Sequence, residues 1–278
     1  MPRRLRLDAE LVRRGLARSR EHAGELIAAG RVSVNGAVAG KAATGVTTDA
    51  ALVVADDASR TDYVSRGGHK LAGALVAFEP LGLVVQGRRC LDAGASTGGF
   101  TDVLLRAGAA QVVAVDVGYG QLAWSLRSDD RVVVHDRTNI RDVNLELVGG
   151  AVQLVVGDLS FISLELVLDA LIGVTVDDGD LVLMVKPQFE VGRDRVGKGG
   201  VVRSPDLRSE AVTAVAAAAE RRGWGAQAVT TSPLPGPSGN IEYFLWLRSA
   251  PARVSDPHIA AEVRRTAGPG VAGERVGP

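Results

Sequence analysis

"LDAGASTGGF" spans Leu91–Phe100. An apolar run meets an aspartate, and glycines then pack a short turn. A strand followed by such a turn and a helix is the ligand-holding unit of a doubly wound α/β sheet. The phosphate-loop pattern is absent, because no Gly-Lys-Ser/Thr occurs here. The dinucleotide pattern fits only in part. Gly94 and Gly99 take its first and third glycine positions, but Ser96 takes the second, where glycine lets backbone approach a pyrophosphate. Asp92 is a poor neighbour for phosphate and a good one for a cationic amine. The turn therefore points to a neutral or positive ligand.

Working outward, apolar runs alternate with helical patterns from Gly68 onward. Strands are expected at 89–93, 111–116, 132–135, 152–157, 180–186, 225–231 and 240–248, and helices near 69–78, 98–107, 163–172 and 206–222. That alternation predicts a Rossmann-like α/β fold, a seven-stranded parallel sheet with helices on both faces. Before it lies a smaller α+β segment. Apolar residues recur at helical spacing over Asp8–Gly15 and Ser19–Ala29, Gly30 supplies a stop, and "RVSVNG" and "ALVVADD" read as strands, the first closed by an Asn-Gly hairpin turn. "ASRTDYVSRGG" reads as a linker. After Ser249 a short helix is expected with Asp256 as cap and Pro257 at its first position, then a disordered Gly/Pro-rich tail. The expected domains are 1–60, a linker at 61–66, 67–250, and a tail region at 251–278.

With 278 residues, 46% of them hydrophobic, the chain can bury one full core and a small second one. Its net charge is zero, yet residues 1–41 hold nine basic against four acidic side chains. A basic end on a neutral protein suggests a nucleic-acid partner there, with Arg4, Arg6, Arg14, Arg18, Arg20 and Arg31 as candidate contacts. Arg66 and the glycine-rich "FEVGRDRVGKGGVVR", carrying Arg193, Arg195 and Lys198, extend the expected RNA surface; the latter reads as a lid. The lone Cys90 excludes a disulfide framework and suits a reducing cytoplasm. No apolar signal core or membrane-spanning run is present. His22, His69, His135 and His258 have no metal-ligand spacing. Trp124 and Trp246 are expected in the core. Of 32 basic residues only Lys41, Lys70, Lys186 and Lys198 are lysine, so lysine is expected where arginine cannot substitute.

Asp116 ends the second expected strand of the sheet, placed for both hydroxyls of a ribose, and "HDRTNI" after the third offers Asp136, Thr138 or Asn139 to an adenine edge. Asp92, Gly94, Ser96 and Asp116 thus describe a pocket for a nucleoside with a positive tail, and S-adenosylmethionine fits. The turn after the fourth strand bears on the methyl acceptor. There, "GDLSFIS" has Asp158 and Phe161 at the places of an amine-methylating turn but lacks its prolines. Cytosine C5 chemistry needs a cysteine nucleophile, and Cys90 is in the wrong place. An oxygen acceptor is left. Methyl transfer to a ribose 2′-hydroxyl needs in-line placement and a group that accepts or polarises its proton. Lys186, closing the fifth strand in "LVLMVKPQFE", is the leading candidate. Asp158 orients it, Glu242 lies mid-strand on a face shared with Phe244 and Trp246, and Lys70 starts the first helix.

Lys70, Asp158, Lys186 and Glu242 resemble the Lys-Asp-Lys-Glu tetrad of the FtsJ/RrmJ-like ribose 2′-O-methyltransferases. "LDAELVRRGLARSREHAGELIAAGRVSVNG" resembles an S4-type RNA-binding domain. Together with "SRGGHKL", "LDAGASTGGFTDVLL", "DVGYGQLAWSLR", "DLSFISL", "VKPQFEVG" and "SPLPGPSGNIEYFLWL", these motifs are similar to the TlyA family, rRNA methyltransferases often named haemolysins. The family carries Trp where this chain has Tyr63. The resemblance implies a class I methyltransferase fold and 2′-O-methylation of cytidines in small- and large-subunit rRNA by a cytoplasmic monomer. Its S-adenosylmethionine pocket would comprise Asp92, Gly94, Ser96, Gly98, Phe100, Asp116, Asn139 and Asp158. Two alternatives stand beside it: a membrane-active haemolysin, tested by liposome leakage, and a nicotinamide-dependent oxidoreductase, tested by cofactor titration.

Overall fold

The computed structural model describes residues 4–17, 19–55 and 63–265. The chain divides into two compact units, Met1–Asp62 and Tyr63–Pro278. In the first, β1 (Leu5–Arg6) and α1 (Leu7–Arg13) lead to α2 (Arg20–Ala28), β2 (Val32–Val34), β3 (Ala37–Val38), β4 (Gly45–Val46) and β5 (Leu52–Val54). Val34 pairs with Ala37, so Asn35 and Gly36 alone form the hairpin turn, at φ 50° and 83°. Positive φ at both positions is what a two-residue hairpin of this twist needs, and Asn-Gly supplies it. Leu7, Leu11, Ala23, Leu26, Ile27 and Val32 form the core.

Two buried acids organise the arginines of this unit. Asp8 holds Arg6 and Arg20, each at 2.9 Å. Glu10 holds Arg13 at 2.6 Å and Arg14 at 2.7 Å, and hydrogen bonds from these two guanidinium groups pull its carboxyl down to about 2.

The second unit runs α3 (Arg66–Phe78), β6 (Arg89–Ala93), α4 (Gly99–Arg106), β7 (Gln111–Val115), α5 (Trp124–Arg127), β8 (Val132–His135), α6 (Leu145–Val148), β9 (Val152–Gly157), α7 (Leu168–Gly173), β10 (Thr175–Val185), α8 (Pro187–Glu190), α9 (Pro205–Glu220), β11 (Gly225–Thr231), β12 (Tyr243–Arg248) and α10 (Asp256–Arg265). Seven strands form one sheet in the order β11-β12-β10-β9-β6-β7-β8. The expected all-parallel sheet is corrected at one strand: β12 inserts antiparallel between β10 and β11. Successive residues of each strand feed opposite layers. Leu181, Leu183 and Val185 pack with α7, α9 and α10, whereas Val182 and Met184 pack with α3 and α4.

Several boundaries also differ. The expected helix over 163–172 is a 3-10 turn at Leu164–Leu166 followed by α7. β12 begins at Tyr243, so Glu242 precedes the strand instead of lying inside it. α3 starts at Arg66, and Tyr63–Arg66 belong to the second unit rather than to a loose linker. Val64 N–H donates to Asp102 at 2.9 Å, and the Tyr63 ring meets His69 edge-on at 5.1 Å. The expected tail beyond Arg265 lies outside the described residues.

The starts of α3 and α4 touch through glycine. A Cβ on Gly99 would stand 2.3 Å from Ser65 Oγ and 2.7 Å from the Gly68 nitrogen. Helix propensity alone favours Ala over Gly by about 1 kcal/mol, while overpacking of this kind costs about 1–3 kcal/mol. Gly99→Ala is therefore expected to lower stability in urea unfolding. A more stable variant would show that the two helix starts can part freely.

Candidate active site

The glycine turn lies where β6 ends. Gly94 has φ 85° and Gly98 φ 98°, both in the left-handed region that glycine adopts without strain. A side chain at Gly94 would press on the Asp158 carbonyl oxygen at 3.1 Å, and one at Gly98 on Leu126 at 2.3 Å. Ser96 adopts φ 48°, and its N–H donates to Asp116 Oδ2 at 2.8 Å. The other Asp116 oxygen accepts from Gly118 N–H at 2.7 Å. Asp116 thus braces the turn and its own loop while each oxygen keeps a lone pair for a ligand. Phe100 is corrected: its side chain is buried against Phe244 at 6.0 Å between ring centroids, so only backbone remains for a ligand. Asn139 caps the Ile140–Asp142 turn by accepting from Arg141 N–H at 3.0 Å.

Asp92 is fully buried. Thr101 donates to its Oδ2 at 2.7 Å, while Oδ1 has no hydrogen-bond partner. Burial first, and then the neighbouring Asp158 and Asp116 carboxylates, push its carboxyl up to about 7. An acid under a glycine turn with one oxygen lacking a partner can receive a cationic group.

The four tetrad residues form two ion pairs. Lys70 Nζ stands 2.6 Å from Glu242 Oε2, both buried, and lies 3.8 Å from Met184 Sδ. Gly236 leaves room for that carboxylate, since a Cβ there would come within 2.5 Å of Glu242 Oε1. Lys186 Nζ stands 2.6 Å from Asp158 Oδ1, an ion pair without hydrogen-bond alignment, and donates to Ser160 Oγ at 2.8 Å. Lys186 follows Met184 by two residues in extended backbone, so both lysines serve the same face of the sheet. Asp158 in turn lies against Gly94, which links the pairs to the glycine turn.

Sequence reasoning missed Ser160, visible only as the serine of "DLSF", and the packing role of Gly236. Trp124 is corrected, being 79% exposed, while Trp246 is buried as expected. Phe161, at φ 64°, is 91% exposed beside the site, its ring 5.3 Å from that of Phe189.

The expected RNA contacts fare unequally. Arg4, Arg193 and Lys198 are exposed. Arg6 and Arg20 share Asp8 but reach solvent. Arg14 is corrected: it donates to the carbonyls of Thr48 and Ala50 at 2.8 and 2.7 Å and serves the fold. Arg31 donates to Ala55 O, Arg66 to Pro235 O, and Arg195 pairs with Glu210 at 2.6 Å. Arg18 lies outside the described residues.

Asp92 gives a pH signature. A carboxyl raised from 3.8 to about 7 on folding makes the native state bind more protons than the unfolded chain between those values. Its contribution to stability is present at low pH and is lost as pH rises through about 7. Asp92→Asn is expected to flatten this slope and raise the melting temperature at pH above it, measured by thermal unfolding across pH. An unchanged slope would remove Asp92 as its source.

An FtsJ-like methyltransferase family model matches residues 63–249, and an S4 domain model matches residues 5–51. The Mycobacterium tuberculosis 16S/23S rRNA (cytidine-2'-O)-methyltransferase TlyA is 63% identical over 90% of this chain and 91% of its own length. Hemolysin A of Brachyspira hyodysenteriae is 40% identical over 86% of this chain and 98% of its own. A solved Streptococcus thermophilus structure described as a hemolysin superposes with TM-score 0.74 at 37% identity, covering 95% of this chain and 96% of that one. No helix among the described residues is long and apolar enough to cross a membrane. With its sheet, glycine turn and paired lysines, this chain belongs to the FtsJ-like methyltransferase family and carries an S4 domain ahead of the methyltransferase unit.

Proposed function

We propose that the protein is a cytoplasmic, monomeric S-adenosylmethionine-dependent ribose 2′-O-methyltransferase acting on cytidines of small- and large-subunit rRNA. The observation that carries this reading is the convergence of two lysine–carboxylate pairs on the edge of β10, in contact with a glycine turn that covers an orphaned acid. The substrate class is supported by the likeness to the tuberculosis enzyme and by the S4 domain.

The residues present fit the cofactor. Asp92 Oδ1 is a buried acceptor with no partner, and the turn above it is held at positive φ by Gly94 and Gly98. Asp92 would take the ammonium end and Asp116 the ribose hydroxyls. Bound there, S-adenosylmethionine supplies an electrophilic methyl group. The chain supplies placement and proton handling. Asp158 and Ser160 fix the Lys186 amine, and Glu242 fixes that of Lys70. Lys186 Nζ meets the incoming 2′-hydroxyl, holding it in line and accepting or polarising its proton as the oxygen attacks. Asp158 is the most solvent-reached member, 23% exposed against 8% for Lys186 and 6% and 1% for Lys70 and Glu242. The open pair therefore faces substrate, and the sealed pair positions it.

Incubating the protein with ribosomal subunits and S-adenosylmethionine, then mapping rRNA by mass spectrometry, is expected to reveal 2′-O-methylcytidine. Methylation of a base, or none on either subunit, would overturn the reading. Lys186→Arg keeps the charge but offers a larger fork that cannot give up a proton. Single-turnover methyl transfer is expected to fall by about 10²–10⁴-fold with cofactor binding intact. A rate within a few-fold of the unmodified protein would leave Lys186 as a steering charge.

A further inference from the structure

Arg208 is a buried cation that the tetrad does not use. It lies on α9 and is only 5% exposed. Its Nε is buried without a partner, and its guanidinium makes no hydrogen bond or ion pair among the described residues. Only its Nε is a buried atom without a partner, so the terminal nitrogens of the fork meet solvent; a largely buried charge without a counter-charge is costly. Acids are close by in sequence, yet they serve other arginines. Asp206 pairs with Arg264 at 3.0 Å and Glu210 with Arg195 at 2.6 Å.

Position supplies the second observation. Arg208, Val212, Val215 and Ala219 recur at helical spacing, and the last three are sealed against the sheet. Arg208 thus heads the sheet-facing stripe. α9 ends where β11 begins, so its first turn lies at the opposite edge of the sheet, the edge where β10 delivers Lys186. Side chains on a helix lean toward its N-terminus, which carries the guanidinium toward that edge. The same turn is the positive end of a 16-residue helix, where Ser204 already takes the Leu207 N–H and Asp206 is turned to Arg264. α8, which directly follows Lys186, packs against α9. Its Gln188 side-chain oxygen is also buried without a partner, and the amide turned over would offer a donor instead.

We infer that Arg208 and the first turn of α9 form an anion site that takes a backbone phosphodiester of the substrate RNA flanking the target nucleotide. Lys186 meets the ribose from one face of the sheet edge, and Arg208 holds the adjoining phosphate from the other. The glycine turn belongs to β6, whereas α9 covers β10, β12 and β11, so this charge serves the substrate side and not the cofactor. The RNA assignment rests on the function proposed above, whereas the anion site stands independently of it.

The test compares the full chain with Arg208→Met, which keeps length and removes charge. In thermal unfolding at matched ionic strength, inorganic phosphate is expected to protect the unmodified chain more than Arg208→Met, relative to chloride. In rRNA binding, Arg208→Met is expected to weaken affinity and to reduce the salt slope by about 1, with S-adenosylmethionine affinity unchanged. Because an unpaired charge is removed, its melting temperature in chloride should not fall. Equal phosphate protection of both proteins would overturn the site. So would a melting temperature lower by several degrees with RNA affinity and slope unchanged, which is the mark of a structural residue. A loss confined to S-adenosylmethionine affinity would move the anion to the cofactor's carboxylate and overturn the RNA assignment. An unmodified chain that ignores rRNA would overturn the proposed function, and phosphate protection lost in Arg208→Met would still uphold the anion site.

Discussion

The sealed ion pair between Lys70 and Glu242 joins residues 172 positions apart and constrains everything around it. Withdrawing two charges from water is repaid only when their geometry is good. That geometry requires α3 to lie over β10, where Met184 touches the lysine, and the segment before β12 to turn inward at Glu242. It also requires Gly236, because no side chain fits beside the carboxylate. The antiparallel insertion of β12 is thus tied to the chemistry: a parallel strand in that slot would bring Arg248, not Glu242, to the edge that carries Lys186.

Much of this was legible in the residues. Strands β6 to β9 were readable because their apolar runs end in turn residues, and the hairpin at Asn35–Gly36 because that dipeptide tolerates positive φ. The two lysines of the tetrad stood out through the scarcity of lysine, Asp158 through its place after the fourth strand, and Glu242 as a carboxylate beside apolar neighbours. Strand direction was not legible, since an apolar run is the same in either sense. Nor was the start of α3, where "RGG" is weak helix sequence. Glycine stands at 68 there because Tyr63 packs so closely that a Cβ on it would lie 2.5 Å from the Tyr63 Cβ. Trp124 was misread because size alone does not separate a core aromatic from an exposed one.

Charge was legible as a count but not as a distribution. The basic N-terminal unit places Arg6, Arg13, Arg14 and Arg20 on just two buried acids. The Glu10–Arg13–Arg14 spacing is that of a helical ion-pair cluster, so part of this was open to inspection. What a nucleic acid would meet is the remainder, exposed side chains such as Arg4 and the solvent-facing edges of paired arginines. In the second unit the reverse holds: Asp92 and Arg208 are buried groups of opposite sign, and Asp92 Oδ1 and Arg208 Nε each lack a partner among the described residues.

The position of β12 also orders the birth of the protein. β12 fills a slot between two strands made before it, so β11 has no neighbour to pair with until Tyr243–Arg248 has emerged. The N-terminal unit closes its own small core from contacts within its first 54 residues, and domains near the N-terminus fold first during synthesis. A nascent chain therefore presents a finished basic module while its methyltransferase sheet is still open, with β10 waiting as an exposed edge. Long-range pairing of this kind is slow, and it leaves the chain without a working ion pair at Lys70 until Glu242 has been made.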